Sequence, residues 1–139
     1  MGHGGARNRS GPAPDPRSGR SERRGLRFDA LPAVYEGEVP EFPLPGASGR
    51  EVEVWESVWR GPQGNAWCQP SERWRWLTIG LYVRVFVACE AFEGLPSGQS
   101  MAQLHRLADQ VGLTPAGLRE NGWVVARDEV GELASRRDE

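Results

Sequence analysis

The run from Trp74 to Phe92, WRWLTIGLYVRVFVACEAF, is the most apolar part of the chain and most limits its fold. It is about as long as a membrane span, but Arg75, Arg84 and Glu90 interrupt it, and each of these charges is costly in lipid. We therefore predict a helix that lies outside the membrane. A helix that is apolar over most of its circumference needs more cover than one small domain easily gives, so we expect it to pack against other subunits.

A second helix is predicted upstream of this run. Ser48 followed three residues later by Glu51 is a capping box, and it opens the stretch SGREVEVWESVWR. The sequence GPQGNAW ends this helix, and we expect Ser71 to cap the segment that continues into the long helix. The apolar residues that share one face of the upstream helix are Val54, Trp55, Val58 and Trp59.

The stretch from Gln103 to Trp123 predicts two short helices that meet at a tight corner. Gly112 can supply a left-handed C-cap, and Thr114-Pro115 is an N-cap followed by a first-turn proline. After Gly122, the residues WVV are expected to form a short strand or a turn. The apolar residues with helical spacing before the corner are Leu104, Leu107, Ala108 and Val111.

The chain is long enough for one modest domain with flanking segments. Residues 1–28 contain Gly, Pro, Ser and Arg with almost no large apolar side chains, so we predict a disordered Arg-rich arm. Residues 29–47 place four prolines between apolar anchors and are expected to lie extended over a surface, either their own or a neighbour's. Residues 48–123 form the predicted helical core and oligomerisation domain, and 124–139 a charged tail. The predicted fold class is mainly α, with four principal helices.

Basic charge is concentrated in the first 28 residues, where seven arginines stand against Asp15 and Glu22. The rest of the chain is acidic. A basic arm on an acidic body is common in proteins that contact nucleic acid through a tail. The alternative is a solvated leader without a binding role. The candidate DNA-binding residues of the arm are Arg17, Arg20, Arg23, Arg24 and Arg27.

The residues needed for several kinds of catalysis are missing from the sequence. The chain contains no lysine, which excludes the glycine-rich nucleotide-binding loop that ends in lysine. His3, His105, Cys68 and Cys89 do not have the paired spacing of a zinc site. A thiol inside the apolar run, such as that of Cys89, is expected to be inert. We therefore expect no catalytic residue, metal or cofactor, and two reduced thiols in a cytoplasmic protein.

The corner can be interpreted as a helix-turn-helix. In that interpretation, Ala108 is the small residue where the helices cross, Gly112 is the turn residue, and Leu118 is the apolar anchor of the second helix. The second helix is short and contains Gly117. Its polar side chains available to read bases are Arg119, Glu120 and Asn121. The alternative is a corner packed for structural reasons alone.

Four segments follow one another between Leu31 and Trp123: LPAVYEGEVPEFPLP, VWESVWRGPQGNAW, LTIGLYVRVFVACEA and LHRLADQVGLTPAGLRENGW. In this order they resemble the small terminase subunits of tailed phages that infect actinobacteria. The corner GLTPAGL also resembles the ending of the wider terminase small-subunit group, which often has serine or alanine and then arginine where this chain has Gly117 and Leu118. The most specific string is Trp55, Trp59, Pro62, Gln63 and Trp67.

The resemblance implies a non-catalytic DNA-packaging factor in the host bacterial cytoplasm. Such a subunit forms a ring, recognises the packaging site on viral double-stranded DNA, and recruits and regulates the large terminase subunit that carries the ATPase and nuclease. The resemblance places the contact with the large subunit after Gly112. We expect DNA contacts at the arginines of the arm and at Arg119. The expected contacts between subunits are Trp55, Trp59, Trp74, Leu77, Leu81 and Phe86. The alternative for each of them is a place in the core of the single chain.

Two other functions fit the same residues. One is a small helix-turn-helix transcription regulator that reads DNA with residues 103–121. In that case, substitution of Arg119 or Asn121 changes sequence preference rather than general affinity. The other is a structural virion or adaptor protein without DNA contact, in which the arm is only a solvated tail.

Overall fold

The computed structural model describes residues 28–126. The predicted arm lies outside the described residues except for Phe28, and so does the predicted tail from residue 127 onward. Within 28–126 the fold is mainly helical, as the sequence predicts. The α-helices are α1 (Gly49–Arg60), α2 (Gly64–Trp67), α3 (Trp76–Ala91), α4 (Gly98–Val111) and α5 (Pro115–Glu120). A 3₁₀ helix, Pro70–Arg75, leads into α3, and the two strands are β1 (Asp29–Leu31) and β2 (Trp123–Val125).

Helix α1 begins as the capping box predicts. The hydroxyl oxygen of Ser48 accepts a hydrogen bond from the backbone N–H of Glu51 at 3.1 Å, and the Glu51 carboxylate accepts one from the Ser48 N–H at 2.9 Å. The helix buries Val54, Trp55 and Trp59. These residues lie on one face because residues three and four apart are neighbours on a helix surface. The predicted amphipathic helix is confirmed.

The prediction that Ser71 caps the next helical segment is wrong. The 3₁₀ helix begins at Pro70 after Gln69, and no side chain caps its first turn. Proline suits the first helical position because its φ is preset and its missing N–H has no partner there. Helix α3 then covers the apolar run from Trp76 to Ala91, close to the predicted end of the long helix.

Tryptophan side chains form the centre of the core. Trp59 is 0% exposed, and four aromatic rings have centroids 5.4–5.7 Å from its own. The ring planes are tilted or perpendicular, which is the arrangement in which aromatic quadrupoles attract. The four surrounding rings are those of Tyr35, Trp55, Trp67 and Trp76. One side chain therefore joins the extended segment, α1, α2 and the start of α3.

The strands β1 and β2 pair in parallel, with Asp29 opposite Trp123 and Leu31 opposite Val125. The sequence predicts a strand or a turn at WVV, and the strand is what forms. It does not predict β1, which lies inside the segment 29–47. Since a strand needs a partner for its backbone groups, a three-residue strand is recognisable only once its distant partner is placed.

The segment 29–47 lies along the chain's own body, which answers the question that the sequence left open. The indole N–H of Trp55 donates a hydrogen bond to the Pro40 carbonyl at 2.7 Å. The Arg84 guanidinium donates one to the Pro45 carbonyl at 2.8 Å. The side chains of this segment that pack on the core are Tyr35, Val39, Phe42 and Leu44. The segment thus closes over α1 and α3 of the same chain.

Candidate functional site

Helix α3 and its C-cap carry an apolar face opposite the side that buries Ile79 and Val83. Five apolar residues follow one another there at intervals of three and four, which places them on one side of the helix. We call these residues the α3 stripe: Leu77, Leu81, Val85, Ala88 and Phe92. Leu77 and Phe92 are each 57% exposed and Leu81 is 46% exposed. No charged residue interrupts the stripe.

The neighbours of α3 cover its flanks and leave the stripe open. Helices α1 and α4 both pack on α3. Next to the stripe on the α1 side, the guanidinium of Arg84 lies 2.6 Å from the Glu51 carboxylate. Tyr82 and Phe86 are half-buried and pack on the core. Exposed apolar area of this kind favours contact with a further apolar surface at roughly 25 cal/mol per Å² removed from water.

A groove of about 490 Å³ opens at the C-terminal end of the stripe. Val85, Ala88 and Phe92 of the stripe form one wall, and Gln99 and Gln103 of α4 form the other. The stripe therefore ends in a concave site between α3 and α4 that can receive a side chain.

The six residues predicted to contact other subunits separate into two groups. Trp55 is 1% exposed and Trp59 is 0% exposed, because both lie in the chain's own core. They leave no surface for a neighbour, which corrects the prediction for these two residues. Phe86 is half-buried against the same core. The members of the set that are exposed are Trp74, Leu77 and Leu81.

The predicted corner forms between α4 and α5. Gly112 ends α4 with a φ of 85°, in the left-handed region that favours glycine. Thr114 then caps α5, since its hydroxyl oxygen accepts a hydrogen bond from the Gly117 N–H at 2.9 Å. Pro115 occupies the first turn. The predicted turn residue, cap and proline are all confirmed.

The two helices approach each other closely at Gly117, a position to which the sequence assigned no packing role. A Cβ atom on Gly117 would lie 2.4 Å from the carbonyl oxygen of Asp109, so the corner closes only with glycine there. Leu118 packs against the core, as expected for the apolar anchor. The glycine that weakens α5 as a helix is therefore the residue that lets the corner form.

The end of α4 is fixed to the rest of the molecule by three donors. Its last carbonyls have no partner within the helix and need one elsewhere. Three side chains donate the missing hydrogen bonds, one from the 3₁₀ helix and two from α2 and its N-cap. The pairs are Arg75 with the Gln110 carbonyl at 2.6 Å, Trp67 with that of Val111 at 3.0 Å, and Gln63 with that of Gly112 at 3.0 Å. Sequence reasoning did not find this role, because the donors are remote from α4 in the chain.

Helix α5 offers few side chains for reading bases. It has six residues, Arg119 is half-buried, and the Asn121 amide donates a hydrogen bond to the Gly117 carbonyl at 2.8 Å. Asn121 therefore caps its own helix, while Glu120 is exposed. Arg119 is the predicted DNA-binding residue that the structure describes. The others lie outside the described residues: Arg17, Arg20, Arg23, Arg24 and Arg27.

The remaining chemically active side chains are dispersed. Cys89 is a free, half-buried thiol beside the groove. The exposed His105 has its Nε2 atom 3.6 Å from the Asp109 carboxylate, an ion pair only when the histidine is protonated. Between residues 28 and 126, no three His, Cys, Asp or Glu side chains are placed to hold a metal ion. No helix in this part of the chain is long and apolar enough to cross a membrane.

Comparison of the chain with protein-family models, with curated proteins and with solved structures gives no match.

Proposed function

We propose that this chain is the small subunit of a phage terminase. In this role it is a non-catalytic homo-oligomer that recognises the packaging site on viral double-stranded DNA and recruits or regulates the large ATPase and nuclease subunit. The observation that carries the proposal is the exposed α3 stripe on a body whose sequence resembles the small terminase subunits.

The α3 stripe supports assembly into a ring. Leu77, Leu81 and Phe92 are large apolar residues on one side of one helix, and all three are well exposed in the single chain. Contiguous exposed apolar surface of this kind marks protein contact sites. The ring is the assembly that the resemblance implies, and the stripe gives the subunits one of the surfaces that hold it together.

The arginine-rich sequence before residue 29 supports DNA binding. Arginine binds phosphate through two N–H groups at once, and each phosphate that it neutralises releases counterions. If these arginines carry the affinity, binding falls steeply as the salt concentration rises. The rest of the chain is acidic and repels DNA, which confines the contact to the arm and to isolated cations such as Arg119.

The DNA-binding part of the proposal is tested with full-length protein and double-stranded DNA in filter-binding assays from about 50 to 200 mM salt. A variant of unchanged length replaces the five candidate arginines of the arm by glutamine. We expect the wild type to bind with a steep salt dependence and the variant to bind much more weakly. Equal affinity of both proteins would remove the role of the arm. Absence of binding by the wild type at low salt would favour a structural protein without DNA contact.

The contact with the large subunit is proposed for the segment after Gly112, on the basis of the resemblance. The donors at the end of α4 hold this corner rigidly, and a docking surface gains affinity when it needs no ordering on binding. Co-purification of a large subunit with the wild type, and its loss when α5 is altered by Arg119→Glu at an unchanged melting temperature, would support this placement.

A helix-turn-helix regulator is the second candidate, and the α4–α5 corner is the observation that favours it. Two features argue against this candidate: α5 has only six residues, and the Asn121 amide is hydrogen-bonded within its own helix. The two functions differ in the effect of Arg119→Ala. In a regulator that reads bases with α5, this change alters which sequences are preferred. In the terminase proposal, it lowers the affinity for all sequences by a similar and small factor.

A further inference from the structure

We infer that the α3 stripe pairs with the α3 stripe of a second copy of this chain, and that the two helices run antiparallel. The inference rests on the proposed function only in that the chain self-associates. It goes further by naming the surface and its direction. Opposite charges, complementary shapes and the apolar middle of the stripe carry it.

Exposed charges of opposite sign stand at the two ends of the stripe. Arg73 precedes Trp74 at the N-terminal end, and Glu93 follows Phe92 at the C-terminal end. Within residues 28–126 neither Arg73 nor Glu93 forms an ion pair, and the Arg73 guanidinium lies 5.2 Å from the centre of the Trp76 ring. Antiparallel pairing places Arg73 of each chain beside Glu93 of the other, so two attractive contacts form. Parallel pairing in register would place like charges together at both ends, which is unfavourable.

The two ends of the stripe also differ in shape. Trp74 is 68% exposed at one end, and the groove lined by Val85, Ala88 and Phe92 lies at the other. An exposed aromatic side chain and an apolar groove are the usual partners in a well-packed interface. Antiparallel pairing brings each Trp74 to the groove of the other chain.

Trp74 and the groove lie on the same flank of α3, the flank that faces α4. The guanidinium of Arg75 lies 4.8 Å from the centre of the Trp74 ring and binds the Gln110 carbonyl in the last turn of α4. Gln99 and Gln103, in the first turns of α4, line the groove. A two-fold axis perpendicular to α3 keeps this flank on the same side in both chains. It therefore brings both tryptophans to both grooves at once.

The middle of the stripe completes the contact. With Trp74 opposite Phe92, the same register places Leu77 opposite Ala88 and Leu81 opposite Val85, so apolar residues meet along the whole helix. The dipoles of two antiparallel helices also attract each other at their ends. A two-fold contact of this kind closes on itself. A ring built from it contains an even number of subunits and needs a second, different contact between pairs.

Charge reversal tests the pairing, since Arg73 and Glu93 are both exposed. The Arg73 guanidinium lies 5.2 Å from the centre of the Trp76 ring, so the melting temperature of each variant is measured beside its association. We expect Arg73→Glu alone, and Glu93→Arg alone, each to weaken self-association by roughly tenfold or more, because two attractive contacts become repulsive. The double variant should recover wild-type association, and should associate poorly with wild-type chains. Association is measured by analytical ultracentrifugation of the full chain. Failure of the double variant to recover would overturn the inference.

Cysteine cross-linking tests the direction. In a background of Cys68→Ser and Cys89→Ser, chains with Leu77→Cys are mixed with chains with Ala88→Cys and oxidised. Antiparallel pairing predicts disulfide-linked dimers of one chain of each kind. Dimers of Leu77→Cys with itself would show parallel pairing and overturn the inference.

Failure of this inference and failure of the proposed function give different results. A wild-type oligomer that is indifferent to both charge reversals, and that binds DNA, overturns the pairing and leaves the terminase proposal standing. Antiparallel dimers that neither form larger assemblies nor bind DNA support the pairing and overturn the terminase proposal.

Discussion

The guanidinium group of Arg75 lies 5.1 Å from the centre of the Trp123 ring, and this contact joins the end of the 3₁₀ helix to β2. The same group also lies 4.8 Å from the centre of the Trp74 ring. It also binds the Glu72 carboxylate at 2.7 Å and the Gln110 carbonyl at 2.6 Å. One buried cation therefore connects the 3₁₀ helix, the end of α4 and the small sheet.

Replacement of this cation should destabilise the whole domain. We expect Arg75→Met to lower the free energy of unfolding by about 2–4 kcal/mol, because Glu72 loses its partner and the Gln110 carbonyl loses its donor. Arg106→Met is the matched control, since Arg106 is exposed on α4, and it should change stability by no more than about 0.5 kcal/mol. Urea unfolding measures both. Equal effects would contradict the central role of Arg75.

The corner should not tolerate a methyl group at either of two glycines. At Gly112 the φ is positive and a Cβ would lie 2.4 Å from a carbon of the Trp123 ring, and at Gly117 a Cβ would lie 2.4 Å from the Asp109 carbonyl oxygen. We expect Gly112→Ala and Gly117→Ala each to cost about 1–3 kcal/mol.

The control for the corner is Gly98→Ala, at the start of α4, where no atom lies within 4 Å of a Cβ and the φ is not positive. This change should be neutral or stabilising by up to about 1 kcal/mol. Melting temperatures of the three variants test this prediction: Gly112→Ala and Gly117→Ala should melt below the wild type, and Gly98→Ala should not. Similar losses at Gly98 and Gly117 would show that the corner is not tightly packed.

The ion pair between Glu51 and Arg84 should make stability depend on pH. The Arg84 guanidinium, and then the Ser48 backbone N–H, hold the pKa of the Glu51 carboxyl below its usual value. A group whose pKa is lowered by folding stabilises the folded state above its unfolded pKa, and this contribution is lost as the pH falls through the folded pKa. We therefore expect the stability lost in Glu51→Gln to be largest above about pH 5 and to shrink in more acidic solution.

Unfolding in urea from neutral to acidic pH measures this difference. Glu56→Gln is the control, because Glu56 is exposed on the same helix and forms no ion pair within residues 28–126. A loss in Glu51→Gln that is the same at every pH would contradict the assigned cause.

Truncation of Trp59 should mainly lower stability, whereas truncation of Trp74 should mainly weaken self-association. Trp59→Ala removes the centre of the core and should cost roughly 3–5 kcal/mol of stability. Trp74→Ala removes an exposed ring and its contact with Arg75, at a cost of about 0.5–1 kcal/mol, but it should weaken self-association. Thermal melts and sedimentation of both proteins test this separation. Unchanged association of Trp74→Ala would remove this residue from the proposed contact surface.

Local signals were enough to predict several elements. The capping box at Ser48 and Glu51, the left-handed turn at Gly112, and the Thr114-Pro115 start of α5 each depend on residues a few positions apart. Their physics is therefore contained in a short stretch of sequence. These elements form as predicted, and together they establish the mainly α fold.

Features that depend on distant partners could not be predicted. Strand β1 forms because Asp29 lies opposite Trp123 in the parallel sheet. The end of α4 is held by Gln63 and Arg75, which are distant from it in the chain. The same limit applies to the candidate contact surface. Apolar residues with helical spacing mark both the core face of α1 and the open face of α3, and only the placement of the other helices separates them.

The native mass of the full chain, measured by light scattering at moderate salt and several concentrations, tests the terminase proposal most directly. The proposal predicts a mass many times that of one chain, unchanged by dilution, and a lower mass for Leu81→Glu on the α3 stripe. A stable monomer or dimer at every concentration would contradict the ring and favour the helix-turn-helix regulator.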